Sequence, residues 1–276
     1  MASLLKKVIS ALLCSMLVCL PAGLVGQESS QPVAVNSVKK LDWEQIADGI
    51  FHVTKVVKSD WSFRLQAFKV DLQKQQVFAV DAREWNKSER VATVKDMTRY
   101  VDAQLVVNGS YFDENNRPLG MVISEKKRIN PFRKADWGVL YIKRDHAFLI
   151  HTRDWEKHPV KGVSFAIQVG PRIVVNSKPT KLKWQVARRS VIGILPDRKT
   201  LVFAVTDMGK AEANNIAELM STPEEMGGFG CVEAVMMDGG PSSQLYSKVG
   251  NKIKDVEGGW PVPIGVAVRE KDTILR

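Results

Sequence analysis

The sequence predicts an α+β fold in a single domain, with a mixed, largely antiparallel β-sheet core and a few helices packed on it. Short apolar runs bounded by Gly, Pro, Asn and Asp recur along the chain, as strands between turns do. Helical spacing is confined to residues 91–101 and 213–221. Strands and helices do not alternate regularly, which argues against a Rossmann fold or a TIM barrel.

Taken in order, the strands begin at residues 50–53, 65–72 and 76–80, the middle one alternating apolar and polar positions. The helix at 91–101 leads into a buried-type strand at 103–107, then a loop over 108–120. Strands follow at 121–124, 137–142, 147–150, 165–168 and 172–175, and again at 191–194 and 201–205 around a turn at 196–199. After the helix at 213–221, Thr222-Pro223-Glu224-Glu225 reads as a capped helical turn, with Thr as cap and Pro at the first position. Residues 232–237 form a buried strand, and 264–268 close the domain. Gly228-Phe229-Gly230 precedes a strand and opens no helix, so it is no dinucleotide fingerprint.

The amino-terminal end carries the localisation signal. Lys6 and Lys7 precede an apolar run over residues 8–20 and small residues up to Gly26, the layout of a signal peptide at 1–26, with Ala22 as an alternative end. No later stretch reaches the roughly 20 apolar residues of a membrane-spanning helix. The expected mature chain is exported, periplasmic or extracellular, with a polar, flexible lead-in at 27–42 and the folded domain at 43–270. Cys14 and Cys19 leave with the leader, so Cys231 has no partner for an intramolecular disulfide. The net charge of +10 suits an anionic partner such as a phosphate-bearing glycan, although Lys and Arg are interleaved with acids as on an ordinary solvated surface. No nucleic-acid-binding motif is present, so nucleic acid is not an expected partner.

Four segments place Gly beside polar groups at the end of an apolar strand. In the first, Asn108 and Gly109 are followed by Tyr111 and Phe112, an amide for hydroxyls and aromatic faces for sugar rings; a structural Asn with core aromatics is the plainer reading. The second holds Gln168, Gly170 and Pro171, and the third the pair Arg188-Arg189 before a buried strand, where a guanidinium suits bidentate phosphate recognition. In the fourth, Asp238 is followed by Gly239, Gly240, Pro241, Ser242 and Ser243, so that a carboxylate stands beside two glycine amides and two hydroxyls. The plainer reading here is an Asp that caps its own turn.

Together the stretches NGSYFDENNRPLG, FAIQVGPRIVVN, RRSVIGIL, LVFAVTD and VMMDGGPSSQLY resemble, in order, the phosphodiester glycosidase family with its NGGFF, QxGP, R-[ST]-x-x-G and DGGxSS signatures. The chain departs in having Ser110-Tyr111 where Gly-Phe is common and Pro241 where Gly is common. The resemblance implies hydrolysis of a sugar-1-phosphodiester of the N-acetylglucosamine type. Phosphate is a good leaving group, so a strong general acid matters less than in ordinary glycoside hydrolysis. What remains necessary is a cation for the leaving phosphate, assigned to Arg189, and a carboxylate for water or an oxocarbenium ion, assigned to Asp238. Asn108, Gly109, Tyr111, Phe112, Gln168, Gly170, Gly239, Gly240, Ser242 and Ser243 would form the sugar cradle. A second carboxylate falls to Asp207 or Asp113, and inverting and retaining chemistry both stay open.

No cofactor is expected. Carboxylate loops of exported proteins can bind calcium, but no ligand spacing names a metal, and His52, His146, His151 and His158 lack zinc spacing. Two rival readings stand beside the glycosidase: a serine hydrolase using Ser242 or Ser243, which lacks the Gly-x-Ser-x-Gly elbow, and a non-catalytic polysaccharide-binding or envelope-biogenesis protein.

Overall fold

The computed structural model describes residues 40–58 and 62–271. The expected leader at 1–26, and the part of the expected lead-in before Lys40, lie outside the described residues. Leu41 is buried among apolar neighbours, so packing starts two residues before the expected boundary.

In chain order the elements are β1 (Glu44–Ala47), β2 (Ile50–Val57), β3 (Phe63–Asp71), β4 (Gln75–Asp81), α1 (Val94–Tyr100), β5 (Leu105–Asn108), β6 (Val122–Ser124) and β7 (Lys127–Asn130). Then come β8 (Gly138–Lys143), β9 (His146–His151), α2 (Thr152–Lys157), β10 (Phe165–Val169), β11 (Arg172–Val175), β12 (Lys178–Pro179), β13 (Val186–Ala187), β14 (Ser190–Ile194) and β15 (Thr200–Met208). The rest are β16 (Ala211–Glu212), α3 (Ala213–Ser221), β17 (Glu233–Met236), β18 (Leu245–Val249), β19 (Lys252–Val256) and β20 (Ile264–Glu270).

Three main sheets form, in the orders β1-β2-β3-β15-β14-β17-β11-β12, β7-β6-β10-β8-β9 and β19-β18-β5-β20-β4, with β13 and β16 as a small ribbon. Every strand pairing among the described residues is antiparallel, which corrects the expected mixed sheet. The helix α1 does connect two strands of one sheet, but β20 slots between β4 and β5 and pairs antiparallel with both.

Period-two side-chain alternation explains the layering. Along β15, Leu201, Phe203 and Val205 enter a core shared by all three sheets, where they join Val107 and Val266 of one and Leu140 and Ile167 of another. Val202 and Ala204 point the other way and pack with Ile216, Ala217 and Met220 of α3. The other two sheets repeat the arrangement, one covered by Val94 and Met97 of α1 and the other by Trp155 of α2. Both faces of each sheet are therefore covered, which is why so many strands read as continuous apolar runs.

Among the sequence expectations, α3 starts and ends where its spacing placed it. Thr222 does not cap a following helix: its hydroxyl donates to the Glu218 carbonyl at 2.7 Å and ends α3, and the next 3-10 turn has no side-chain cap. The short α2, capped by the His151 side chain, was not anticipated.

Candidate active site

Strands from two sheets end together at the Asp238 turn. The Asn108 side chain, at the end of β5, donates to the Asp238 carbonyl at 2.7 Å, while its Oδ1 accepts from the Ser190 hydroxyl at 2.6 Å and the Gln244 N–H at 3.2 Å. The backbone completes the knot: Asp238 N–H to Gly109 O at 3.1 Å, Met237 N–H to Ser190 O at 2.8 Å and Gly240 N–H to Arg188 O at 2.9 Å. Gly240 takes φ +60°, a left-handed conformation that glycine adopts without a Cβ penalty. Gly109 serves a different need, since a Cβ there would stand 2.7 Å from the Ile264 carbonyl oxygen.

A cavity of about 490 Å³ opens at this knot. Tyr111, Arg189, Asp238, Gly239 and Gly240 line it, with Pro171, Leu182, Lys183, Gln185 and Met236 among the other wall residues. Among the described residues, Asp238 is the one carboxylate lining this cavity. Burial raises its pKa above the ordinary value, and hydrogen bonds from the Ser242 hydroxyl and the Gly239 N–H pull it partly back. The Arg189 guanidinium is buried, and two backbone carbonyls fix its plane: Nη2 donates to Gln185 O at 2.6 Å and Nε to Ala211 O at 3.3 Å. Its Nη1 contacts are long, 3.4 Å to Gln185 Oε1 and 3.9 Å to Met236 Sδ, so Nη1 is the nitrogen with donors to offer a ligand. Burial lowers the Arg189 pKa, with Tyr111 and Glu212 opposing that shift. Tyr111 donates its hydroxyl to the Gly170 carbonyl, and burial, then the Asp238 charge, push its pKa up to about 12. It is thus a protonated donor at neutral pH.

Other expected site residues stand elsewhere. Asn108 and Gln168 are fully buried, and their amides hold the protein's own backbone. Gln168 Oε1 accepts from Met121 N–H at 2.9 Å and Arg133 N–H at 3.0 Å, while its Nε2 donates to Arg133 O at 2.5 Å, so it clamps a loop. Phe112 packs on the α1 side of its sheet. Ser243 is fully buried, Ser242 serves Asp238, and no histidine lines the cavity, so the serine-nucleophile reading loses its support. Gly170 supplies the carbonyl that Tyr111 bonds.

Neither candidate for a second carboxylate reaches the cavity. Asp207 accepts Arg64 Nε on both oxygens at 2.9 Å and Gln66 Nε2 at 2.5 Å. Gln66 lies on the face of β3 that carries Phe68 and Val70 into the shared core, whereas Arg189 turns to the α3 side. Asp113 caps its own turn, accepting the N–H groups of Asn115 and Arg117 at 2.9 and 2.8 Å. Among the described residues no group of three or more His, Cys, Asp or Glu could hold a metal ion, and no helix is long and apolar enough to cross a membrane.

Residues 102–269, more than half of the chain, match the family model of phosphodiester glycosidase. The chain belongs to the phosphodiester glycosidase family. No curated protein matches the sequence significantly. Solved structures share the fold of this chain at low identity. The zebrafish N-acetylglucosamine-1-phosphodiester alpha-N-acetylglucosaminidase catalytic domain, auto-inhibited by its pro-peptide, is 13% identical with TM-score 0.60, over 89% of this chain and 86% of that one. A hypothetical protein from Synechocystis is 13% identical with TM-score 0.55, and 84% of this chain spans 64% of its length. A Burkholderia pseudomallei protein is 10% identical with TM-score 0.54, over 77% of this chain and 75% of that one.

Each departure from the family signatures has a visible place in the structure. The tyrosine at 111 adds the hydroxyl that ties its loop to Gly170, and Pro241 sits at the start of the 3-10 turn Gly240–Ser242, where a missing N–H costs no helical bond. Lys183 and Gln185 are wall residues that sequence reasoning missed. They lie in a polar, basic stretch between strands, where composition alone does not separate a cavity wall from a solvated loop.

Proposed function

We propose that this protein is an exported phosphodiester glycosidase, a hydrolase that cleaves the anomeric C–O bond of a sugar-1-phosphodiester, of the N-acetylglucosamine type, in an envelope or extracellular glycan. The observation that carries the reading is one cavity lined by a carboxylate of raised pKa, Asp238, and a buried guanidinium, Arg189. A lone carboxylate is sufficient for this chemistry because the departing phosphomonoester needs little protonation, whereas an alkoxide leaving group calls for a second carboxyl as acid.

Water adds to the anomeric carbon as the bond to the phosphate oxygen breaks, and the bonding electrons leave with that oxygen. Asp238 takes the proton from water and stabilises positive charge on the sugar, while Arg189 Nη1 and Lys183 meet the charge growing on the phosphate. The Gly239–Gly240 turn lets the sugar approach the backbone, and Tyr111 contributes an aromatic wall. The zebrafish enzyme of similar fold acts on N-acetylglucosamine-1-phosphodiesters, which favours that sugar.

Purified protein incubated with α-linked sugar-1-phosphodiesters, N-acetylglucosamine among them, should release free sugar and phosphomonoester in equal amounts. The Asp238→Asn variant should bind the same compounds without turnover. No release from any of them would refute this function.

A further inference from the structure

Tryptophan is normally the residue a fold hides, and Trp155 and the partly covered Trp43, Trp85 and Trp137 follow that habit. Trp184 and Trp260 do not, being 72% and 59% exposed. Their exposure is not a product of loose chain. Around Trp184, the Leu182 N–H donates to Asn214 Oδ1 at 2.8 Å, and the Gln185 carbonyl accepts the Ala213 N–H at 3.1 Å. Around Trp260, its own N–H bonds the Pro241 carbonyl at 3.1 Å, Gln244 Nε2 bonds its carbonyl at 2.8 Å, and Arg188 Nη1 bonds the nearby Glu257 carbonyl at 2.7 Å.

Both residues also stand close to cavity-lining residues in the backbone. Trp184 lies between Lys183 and Gln185, which line it, and the Trp260 N–H grips Pro241, the residue after the lining Gly240. Each tryptophan thus sits on a hydrogen-bonded backbone segment next to cavity-lining residues, with its side chain open to solvent. Lys181 and Lys183 are exposed beside Trp184.

We infer that Trp184 and Trp260 are stacking platforms for further sugar rings of a polymeric substrate, a glycan chain joined by phosphodiesters that extends past the cavity. Flat indole faces take sugar rings, and the lysines next to Trp184 complement the phosphates between rings. This rests on the proposed function and adds that the substrate is longer than the unit being cleaved.

The test compares methyl N-acetylglucosamine-1-phosphate with a tetramer of N-acetylglucosamine units linked through 1-phosphodiesters. Trp184→Ala and Trp260→Ala should each raise KM for the tetramer about tenfold, with kcat and the constants for the methyl ester within about twofold of wild type. Trp184→Tyr and Trp260→Tyr, which keep an aromatic face, should restore most of the tetramer KM. A tetramer KM that the alanine variants leave unchanged, an equal loss on both substrates, or a tyrosine variant as poor as alanine overturns the inference.

A calorimetric arm separates this from the activity itself. Tetramer binding is measured with Asp238→Asn protein, alone and combined with each alanine substitution. Wild-type protein inactive on both compounds refutes the proposed function. Tetramer affinity that is indifferent to the tryptophans refutes the platforms.

Discussion

Burial holds the Asp238 carboxyl above its usual pKa, so its charged form is the costly one in the folded state. The linkage sign follows: the cost is absent below the unfolded value of about 3.9, grows as pH rises from there, and is complete above the folded-state pKa. Asp238→Asn should therefore raise the melting temperature at pH 7, with the gain vanishing in scans run below about pH 3. Turnover should fall about 10²- to 10⁴-fold in the same variant, the span of a lost general base. A melting temperature at pH 7 that is unchanged or lower would contradict the burial argument. In wild type, the acid limb of kcat/KM should lie above the pKa of an ordinary aspartate. Asn108 makes the opposite kind of prediction. Asn108→Asp places an oxygen against the Asp238 carbonyl where Nδ2 now donates, at a fully buried site, and should cost about 3 kcal/mol or more in urea denaturation. From the sequence both residues read as ligand contacts. Only Asp238 lines the cavity, because Asn108 spends its amide joining the ends of three strands.

At the scale of elements, the two glycine types at the site separate by experiment. Gly109→Ala would drive a Cβ to 2.7 Å from the Ile264 backbone oxygen, which cannot swing aside, so β5 and β20 must part locally. A loss of about 2 kcal/mol is expected, read from the denaturation midpoint. Gly240→Ala meets no atom within 4 Å and bears only the left-handed backbone, a cost of about 1 kcal/mol. Strands that bury both faces, such as β15 and β17, were legible from the apolar runs Leu201–Val205 and Ala234–Met237. The hairpin of β18 and β19 was not, since Lys252, Lys254 and Asp255 break the apolar pattern of β19, the edge strand of its sheet. The strand β13 escaped because Val186 and Ala187 are too short a run to show a period, and with it went the cavity wall at Lys183 and Gln185.

For the whole molecule, the core shared by three sheets implies one unfolding event. Phe203 is fully buried in that core, and Phe203→Ala should cost about 3–5 kcal/mol while leaving a single cooperative transition in calorimetry. Separate transitions would mean that the sheets unfold independently. The sequence by itself determined the strand-rich composition, the position of α3, and the ordered signatures that led to Asp238 and Arg189, because local periodicity and short motifs are written in neighbouring residues. It did not determine which strands pair, since β20 reaches its place between β4 and β5 from the far end of the chain. Nor did it decide which polar residues face the cavity. Asp207, Gln168 and Asn108 carry the same functional groups as a ligand site would, yet each is claimed by a distant partner: Arg64 on β3, the backbone at Arg133, and the carbonyl of Asp238. Such pairings join residues far apart in the chain, so only the folded backbone selects them.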